Sequence, residues 1–443
     1  MANMAKTIFI TSFHPLISRN ILSTKLIAKL TDKNVRVIVL GPSKKKVFFE
    51  RELAGSGAVF EGVDAVLDRR DNFLRYLALS AVNTNSLRIK RMTEMKGSGS
   101  RLAGVVGNGS FGYKLARFAN GLLTPKNTFT VLFEKYQPDL VFSADIQNEY
   151  DVRLTAEAMS KGIRALGMVR SWDNLGCKGT FRIIPEKILF NNELLRREAV
   201  KKHGVPEDKT EVIGIPHYDA YVSGARSPRD EFFKNLGLDP KKKTLLFTPN
   251  GDRYLKNNTV DRDVLDIINK NLSAEWQILV RLPPMDKVSY LDETIPNKRV
   301  VVDRPQTEYA TLKNNEISKE ADGHLADSLY WSDLVVSGPS TICIDAALFD
   351  KPIILAGFDG YEDRPYKEGV LRFYDYDHWK PVLNSGGVPL AKNVSEFQNL
   401  LIKYAENPGL NREARSKMLL EQCQFVDGQS TERLFNLINN LLT

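Results

Sequence analysis

At 443 residues the chain is too long for one ordinary core, and at ~150 residues per domain it divides into two or three. Its 42% hydrophobic and 26% charged content is that of a folded chain, and no run reaches the ~18 apolar residues that would span a bilayer. An excess of 62 Lys and Arg over 54 Asp and Glu, net +8, admits phosphorylated small molecules or anionic lipid; with no helix-turn-helix, zinc or RNA-binding signature it argues against nucleic acid.

The opening MANMAKTIFITSF carries a buried strand (Lys6–Phe13) and not a signal peptide, because four or five apolar residues give way at once to His14-Pro15. Ile21, Leu22, Leu26, Ile27 and Leu30 then recur at helical spacing, and NVRVIVLGP is a second strand. Strand, helix, strand in this order predicts a right-handed parallel βαβ unit. The stretches DLVFSAD (Asp139–Asp145), ALGMVRSWDN (Ala165–Asn174), KILFNN and KTEVIGIP repeat one form: a short apolar run ending in a polar or Gly/Pro loop. That form is typical of a doubly wound sheet, whose ligands gather at the carboxyl ends of the strands. Between them, Ser80–Leu123 places Arg88, Lys90, Arg91, Lys96, Arg101, Lys114 and Arg117 against a single acid, Glu94. This basic insertion reads either as a solvated excursion or as a flap over an anionic acceptor or lipid surface.

VSGARSPRD is the linker candidate, dividing the chain into domains 1–224 and 225–443. KKKTLLFTPNG (Lys241–Gly251), WQILVRLPP (Trp276–Pro284), KRVVVDRP (Lys298–Pro305), SDLVVSGPS and KPIILAGFDG continue the strand-to-loop pattern. The expected fold class is α/β, two Rossmann-like domains in tandem. STERLFNLINNLL closes the second domain as an amphipathic helix capped by Ser430 or Thr431. Cys177, Cys343 and Cys423 lack CxxC spacing, which excludes a disulfide framework and suits a reducing cytoplasm.

VVSGPSTICIDAALF predicts a strand Leu334–Ser337, a small polar loop and a helix Thr341–Phe349. Gly338 permits close backbone approach, Ser340 and Thr341 offer hydroxyls, and the helix start offers N–H groups and partial positive charge. Together they suit a diphosphate, with Asp345 one turn on to accept from ribose hydroxyls. The plainer alternative is that Ser340 or Thr341 is an N-cap and Asp345 an exposed helix residue.

The stretches LADSLYWSDLVVSGPSTICIDAALFDKPIIL and FVDGQSTERLFNLI, in order within roughly Thr244–Leu442, resemble the CDP-glycerol glycerophosphotransferases and related GT-B families. SWDNLGCKG and the segment after it resemble surface-polysaccharide glycosyltransferases and, more loosely, the UDP-N-acetylglucosamine 2-epimerases. The chain departs from the glycerophosphotransferase pattern in three places. Gly338 stands where that family has an Asp, Leu282 where it has a His, and SWDNLGCKG (Ser171–Gly179) where it has a histidine motif. The resemblance implies two Rossmann-like domains facing a cleft, the nucleotide donor on the second and the acceptor on the first. It implies a metal-independent glycosyltransferase working at the cytoplasmic side, peripheral to the inner membrane face. The sugar would pass to a cell-surface polysaccharide or lipid-linked glycan. Polyol-phosphate transfer, nucleotide-sugar epimerisation and a non-catalytic nucleotide-binding scaffold are the alternatives.

Three groups at strand ends are candidate bases for the acceptor hydroxyl. They are His14, Asp173 (with Asn174 beside it) and Asp145 (with Glu149 nearby), and Asp173 is preferred. On the donor side, Asn250 in FTPNG faces the ligand, Arg281 would neutralise phosphate, and Glu362, with Asp359, Tyr361 and Arg364, would read the sugar. His217, among Pro216, Tyr218 and Tyr221, reads as packing. No HExxH, EF-hand loop or strand-end DxD occurs, and Asp375 and Asp377 lie in an aromatic loop. No metal and no cofactor beyond the nucleotide donor is expected.

Overall fold

The computed structural model describes residues 5–94, 110–253, 255–292, 298–305 and 315–443. Among them two parallel sheets stand apart in two compact units. The first unit takes the chain up to Ser223 and again from Glu421 to Thr443; the second is Gly224–Leu420.

The first sheet is built from β1 (Thr7–Thr11), β2 (Arg36–Pro42), β3 (Val59–Val63), β4 (Leu140–Ser143), β5 (Arg164–Met168), β6 (Lys187–Phe190) and β7 (Thr210–Val212). Their order is β3-β2-β1-β4-β5-β6-β7. The strands are short apolar runs because helices cover both faces, so alternation is lost and nearly every position is buried. Phe9, Ile38, Leu40, Val141 and Leu154 form one core cluster; Ile146, Val169, Ile188 and Phe190 form another.

The second sheet runs β10-β9-β8-β11-β12-β13. Its strands are β8 (Lys243–Thr248), β9 (Trp276–Arg281), β10 (Val300–Asp303), β11 (Leu334–Ser337), β12 (Ile353–Ala356) and β13 (Leu390–Ala391). In both sheets the winding starts at a central strand, runs to one edge, then returns to build the other side. The reversal falls between β1 and β4 in the first sheet and between β8 and β11 in the second. At such a switch point the connecting loops diverge and leave a crevice at the carboxyl ends.

Two expectations are corrected. The C-terminal helix Ser430–Leu442 belongs to the first unit, not the second. Its apolar side, with Leu434 and Ile438 fully buried, packs against the helices Leu26–Asp32 and Tyr218–Ser223. Neither Ser430 nor Thr431 caps it by its own side chain: the Asp219 carboxylate accepts from Ser430 N at 2.9 Å and Thr431 N at 2.7 Å. Lys29 completes the join through Glu432 at 2.7 Å. The basic insertion is likewise more than a solvated excursion. It forms the helices Asn85–Thr93 and Ser110–Leu123, and the latter packs on Arg69–Ser80. Arg117 does not face an anion there; it donates to the carbonyls of Phe181, His203 and Gly204. Lys96 and Arg101 lie outside the described residues.

Candidate functional site

Each switch point collects chemistry. In the first unit Asp145, two residues past β4, is 1% exposed. It pairs with Arg170, which follows β5, and accepts from Lys178 Nζ at 2.9 Å and Asn174 Nδ2 at 3.4 Å. Burial alone would raise this carboxyl, but Arg170 and Lys178 outweigh it and hold the pKa at about 2. Asp151 lies behind. Its Oδ1 accepts from Thr11 and from Asp145 N at 3.2 Å, while Thr11 Oγ1 accepts from Ala144 N at 2.8 Å. Burial, with the Asp145 charge next to it, pushes Asp151 up to about 8. Two neighbouring carboxyls, one just past β4 and one in the helix Glu149–Ser160, are thus split, one ionised and one holding its proton at neutral pH.

His14 joins the same cluster. Burial and then the Arg170 charge lower its pKa to about 3, and Asp145, Lys178 and Asp173 all act on it. Its Nδ1 accepts from Leu16 N at 3.1 Å, capping the turn that starts at Pro15. A neutral ring with Nδ1 so occupied carries its proton on Nε2 and presents a donor. The expected role of base therefore does not fit His14, nor Asp145, which is buried, ionised and engaged on both oxygens. Asp173 opens the short helix Asn174–Cys177, stays partly exposed and makes no side-chain cap bond. The structure brings all three candidates into one neighbourhood, where Asp173 acts electrostatically on His14. Glu149 is held by Arg182.

Several residues of this edge were not singled out as ligand groups from sequence. Buried polar atoms are ordinarily paired. Among the described residues, Ser12 Oγ, Gln147 Oε1, Arg170 Nε, Asn174 Oδ1, Asn191 Oδ1 and both ring nitrogens of His217 are buried without a hydrogen-bond partner. All stand on the segments that follow β1, β4, β5, β6 or β7, Asn174 at the start of the short helix after β5. His217 does pack on Tyr218 and Tyr221, as expected, yet its nitrogens are left unsatisfied. The available signal was position: Ser12 and Asn191 are the first residues past their strands. Beside them Gln147, Glu149, Lys178, Thr180 and Arg182 line a cavity of about 410 Å³.

At the second switch point the loops Pro249–Gly251 and Gly338–Thr341 carry no ionisable side chain of their own, although Asp286 stands against Gly251 and Asp252 follows it. Register sets Ser337 beside Thr248, so Gly338 follows β11 next to the loop Pro249–Gly251. Asp261, fully buried, organises that loop. It accepts from Asn250 N at 2.8 Å, Asn250 Nδ2 at 2.7 Å, Gly251 N at 3.0 Å and Asn258 Nδ2 at 2.6 Å. Asn250 Oδ1 points at Gly338, where any Cβ would collide with it. The close approach expected at Gly338 is therefore made first by the protein's own amide. Ser340 and Thr341 are partly exposed; Ser340 Oγ accepts from Ile342 N at 3.3 Å, and Thr341 stands at the N-cap of the helix Ile342–Leu348 without a side-chain cap bond.

Three other expectations shift. Asp345 is 1% exposed and so is not an exposed helix residue. Arg281 is 7% exposed and engaged within the protein: it pairs with Asp303, its neighbour across the β9–β10 register, and donates to Ala321 O at 3.3 Å. His324 Nε2 stands 3.1 Å from the same Asp303 oxygen. Glu362 is exposed and accepts from Thr259 Oγ1 at 3.0 Å, the bond that chiefly lowers its pKa. Arg364 bonds Glu362 at 3.0 Å and the carbonyls of Lys256 and Asn257 at 2.9 and 2.8 Å. Tyr361 OH donates to Asp266 at 2.9 Å and Asp359 accepts from Val370 N at 2.7 Å, so this loop is fastened while Tyr361, Glu362 and Asp363 stay exposed.

Comparison with solved structures gives the fold a name. The UDP-GlcNAc 2-epimerase of Neisseria meningitidis bound to UDP-GlcNAc superposes with a TM-score of 0.58 at 12% identity, covering 98% of this chain and 100% of that one. A glycosyltransferase from Rickettsia africae gives 0.53 at 11%, covering 99% of both chains. The calicheamicin glycosyltransferase gives 0.55 at 10%, covering 99% and 98%. The two α/β units are those of the GT-B fold. No curated protein matches at the sequence level. The family model described as CDP-Glycerol:Poly(glycerophosphate) glycerophosphotransferase matches residues 166–440, more than half the chain. With that match the chain belongs to the CDP-glycerol:poly(glycerophosphate) glycerophosphotransferase family, a family of transferases.

Proposed function

We propose that this transferase moves a sugar from a nucleotide-activated donor to a glycan or lipid-linked acceptor. The observation that carries the reading is the contrast between the switch points. A neutral loop pair with hydroxyls and amides (Asn250, Gly338, Ser340, Thr341) suits a nucleotide diphosphate. A charged, polar edge (His14, Asp145, Asp173, Arg170, Lys178) suits a hydroxylated acceptor and a proton transfer. In the reaction the acceptor oxygen forms a bond to the anomeric carbon and its proton passes to the Asp173 carboxylate. The bond from that carbon to the diphosphate oxygen breaks, and the nucleoside diphosphate leaves with the electron pair. His14, with its proton on Nε2, donates to an acceptor oxygen, and Asp145 keeps Arg170 and Lys178 in place around it. The scheme uses no metal: N–H groups and hydroxyls of the Gly338–Thr341 loop face the diphosphate charge.

The neighbour bound to UDP-GlcNAc supports a nucleotide-sugar donor. The family match favours a second reading on the same site, transfer of a polyol phosphate from a CDP-linked donor. The deciding experiment is a thermal-shift series with UDP, CDP, CMP, GDP, ADP and dTDP, then turnover of the matching donor in the presence of EDTA. A ligand at ~100 times its Kd stabilises by ~2.7 kcal/mol. A CDP response moves the proposal to polyol phosphate, a UDP or GDP response supports the sugar. No response to any nucleotide or donor sinks both. Asp173→Asn should lower turnover and leave the nucleotide shift unchanged; full turnover in that variant removes the base assignment.

A further inference from the structure

The paired register of β1 and β4 ends at Ile10 and Phe142. Past that point the two chains part, as they do at a switch point, and the buried N–H groups that follow need other acceptors. Side chains supply them. Ala144 N donates to Thr11 Oγ1 at 2.8 Å, and Asp145 N donates to Asp151 Oδ1 at 3.2 Å. Thr11 Oγ1 then donates to the same Asp151 oxygen. Thr11 and Asp151 are each 1% exposed. One carboxyl oxygen thus closes the end of β1 onto the end of β4. The helix Glu149–Ser160 that delivers Asp151 is fixed from the same strand, since Ser143 Oγ lies 2.6 Å from Thr155 Oγ1.

Two groups of the charged edge hang from this bridge. His14 follows Thr11 by three residues, and Asp145 gives the bridge its own N–H. Each acts electrostatically on the other. The charges that bear on Asp151 are those of Asp145 and Lys178, with the Thr11 hydroxyl and the Asp145 N–H bonded to it. Burial, then the Asp145 charge, keeps its proton on near neutral pH, with a pKa of about 8. A neutral carboxyl accepts these bonds as a carboxamide would, so shape matters here more than charge. We infer that Asp151 is a positioning residue for the transfer: through Thr11 and the Asp145 N–H it sets the His14 loop and the Asp145 carboxyl across the first switch point. It has this role only if that edge is where the acceptor reacts, as proposed above.

The test compares Asp151→Asn, Asp151→Ala and Thr11→Val in the full chain, using the donor that turns over. It also follows the ring signals of His14 by NMR, assigned through His14→Gln among the five histidines. Asp151→Asn keeps the accepting oxygen and should hold kcat within ~3-fold of wild type. Asp151→Ala and Thr11→Val each break the bridge and should lower kcat by at least ~10-fold, with donor KM unchanged. Together they should lose no more than the worse of the two, because both remove one connection. The His14 signals should move in these two variants and stay in place in Asp151→Asn. Thr11→Val carries the test if Asp151→Ala does not fold. Full kcat in a folded Asp151→Ala overturns the inference. So does a loss in Asp151→Asn equal to that in Asp151→Ala. Absence of turnover by the wild type with every donor fails the proposed transfer instead. The His14 signals then decide the positioning, and unmoved signals in Asp151→Ala and Thr11→Val overturn it.

Discussion

The two sheets share a strand order but not a way of treating charge. At the first switch point Asp145, Asp151 and His14 meet Arg170 and Lys178, and the pKa values of the first three are driven apart: Asp145 about 2, Asp151 about 8, His14 about 3. At the second, the buried acid Asp261 is withdrawn under the loop and its oxygens are spent on N–H groups, while Ser340 and Thr341 stay partly exposed. One topology thus carries two kinds of strand-end rim. In the first, opposed charges cluster; in the second, backbone and side-chain dipoles stand in the loops themselves.

The comparison can be broken most sharply at Asp145. Asp145→Ala strands Arg170 and Lys178 in a buried site, and breaking such a pair costs about 3–5 kcal/mol. Urea unfolding should register this in the first unit; a loss under 1 kcal/mol would mean the cluster is solvated and the contrast unreal. Gly338→Ala ranks next, at about 1–3 kcal/mol for overpacking, with loss of nucleotide-induced stabilisation. Adding Asn250→Ala should restore part of the stability, since the clash is with that amide; no recovery would place the strain elsewhere.

Asp151 sharpens the comparison through pH. Its folded pKa of about 8 lies above the ordinary 3.8, so its stabilising contribution is full below 3.8 and is lost as pH rises through 8. Asp145 has the opposite sign, losing its contribution as pH falls toward 2. Melting temperature should therefore decline from pH 6 to 9 in the wild type and decline less in Asp151→Asn. Parallel curves would refute the buried proton. The smallest effect belongs to Ser340→Ala with Thr341→Ala. Stability should change by no more than ~0.5 kcal/mol, as at other sites outside the core, while nucleotide affinity falls; unchanged affinity would remove the phosphate loop.

Much of the frame was legible because buried parallel strands are written as apolar runs. Leu334–Ser337 is a strand as expected, and the loop after it begins at Gly338. β3 was missed because an edge strand need not be apolar: VFEGV carries Glu61 and Gly62 and is only partly buried. The candidate acids were visible as polar residues ending such runs. Their partners were not, because ion pairs join loops that lie far apart in sequence. Arg281 shows the cost. It ends β9 and looks like a phosphate ligand until register sets Asp303 beside it at the end of β10. The paired endings, ILVR and VVVD, were the readable trace of that bridge.

The cap that Asp219 supplies to Ser430 and Thr431 ties the first unit to a segment more than two hundred residues later in the chain. During synthesis the second unit is complete before that segment emerges. The first unit's helix Leu26–Asp32 must therefore wait with an uncovered apolar side while a whole neighbour is made. The first unit is begun early and finished late, and it is the part most dependent on protection in the nascent state.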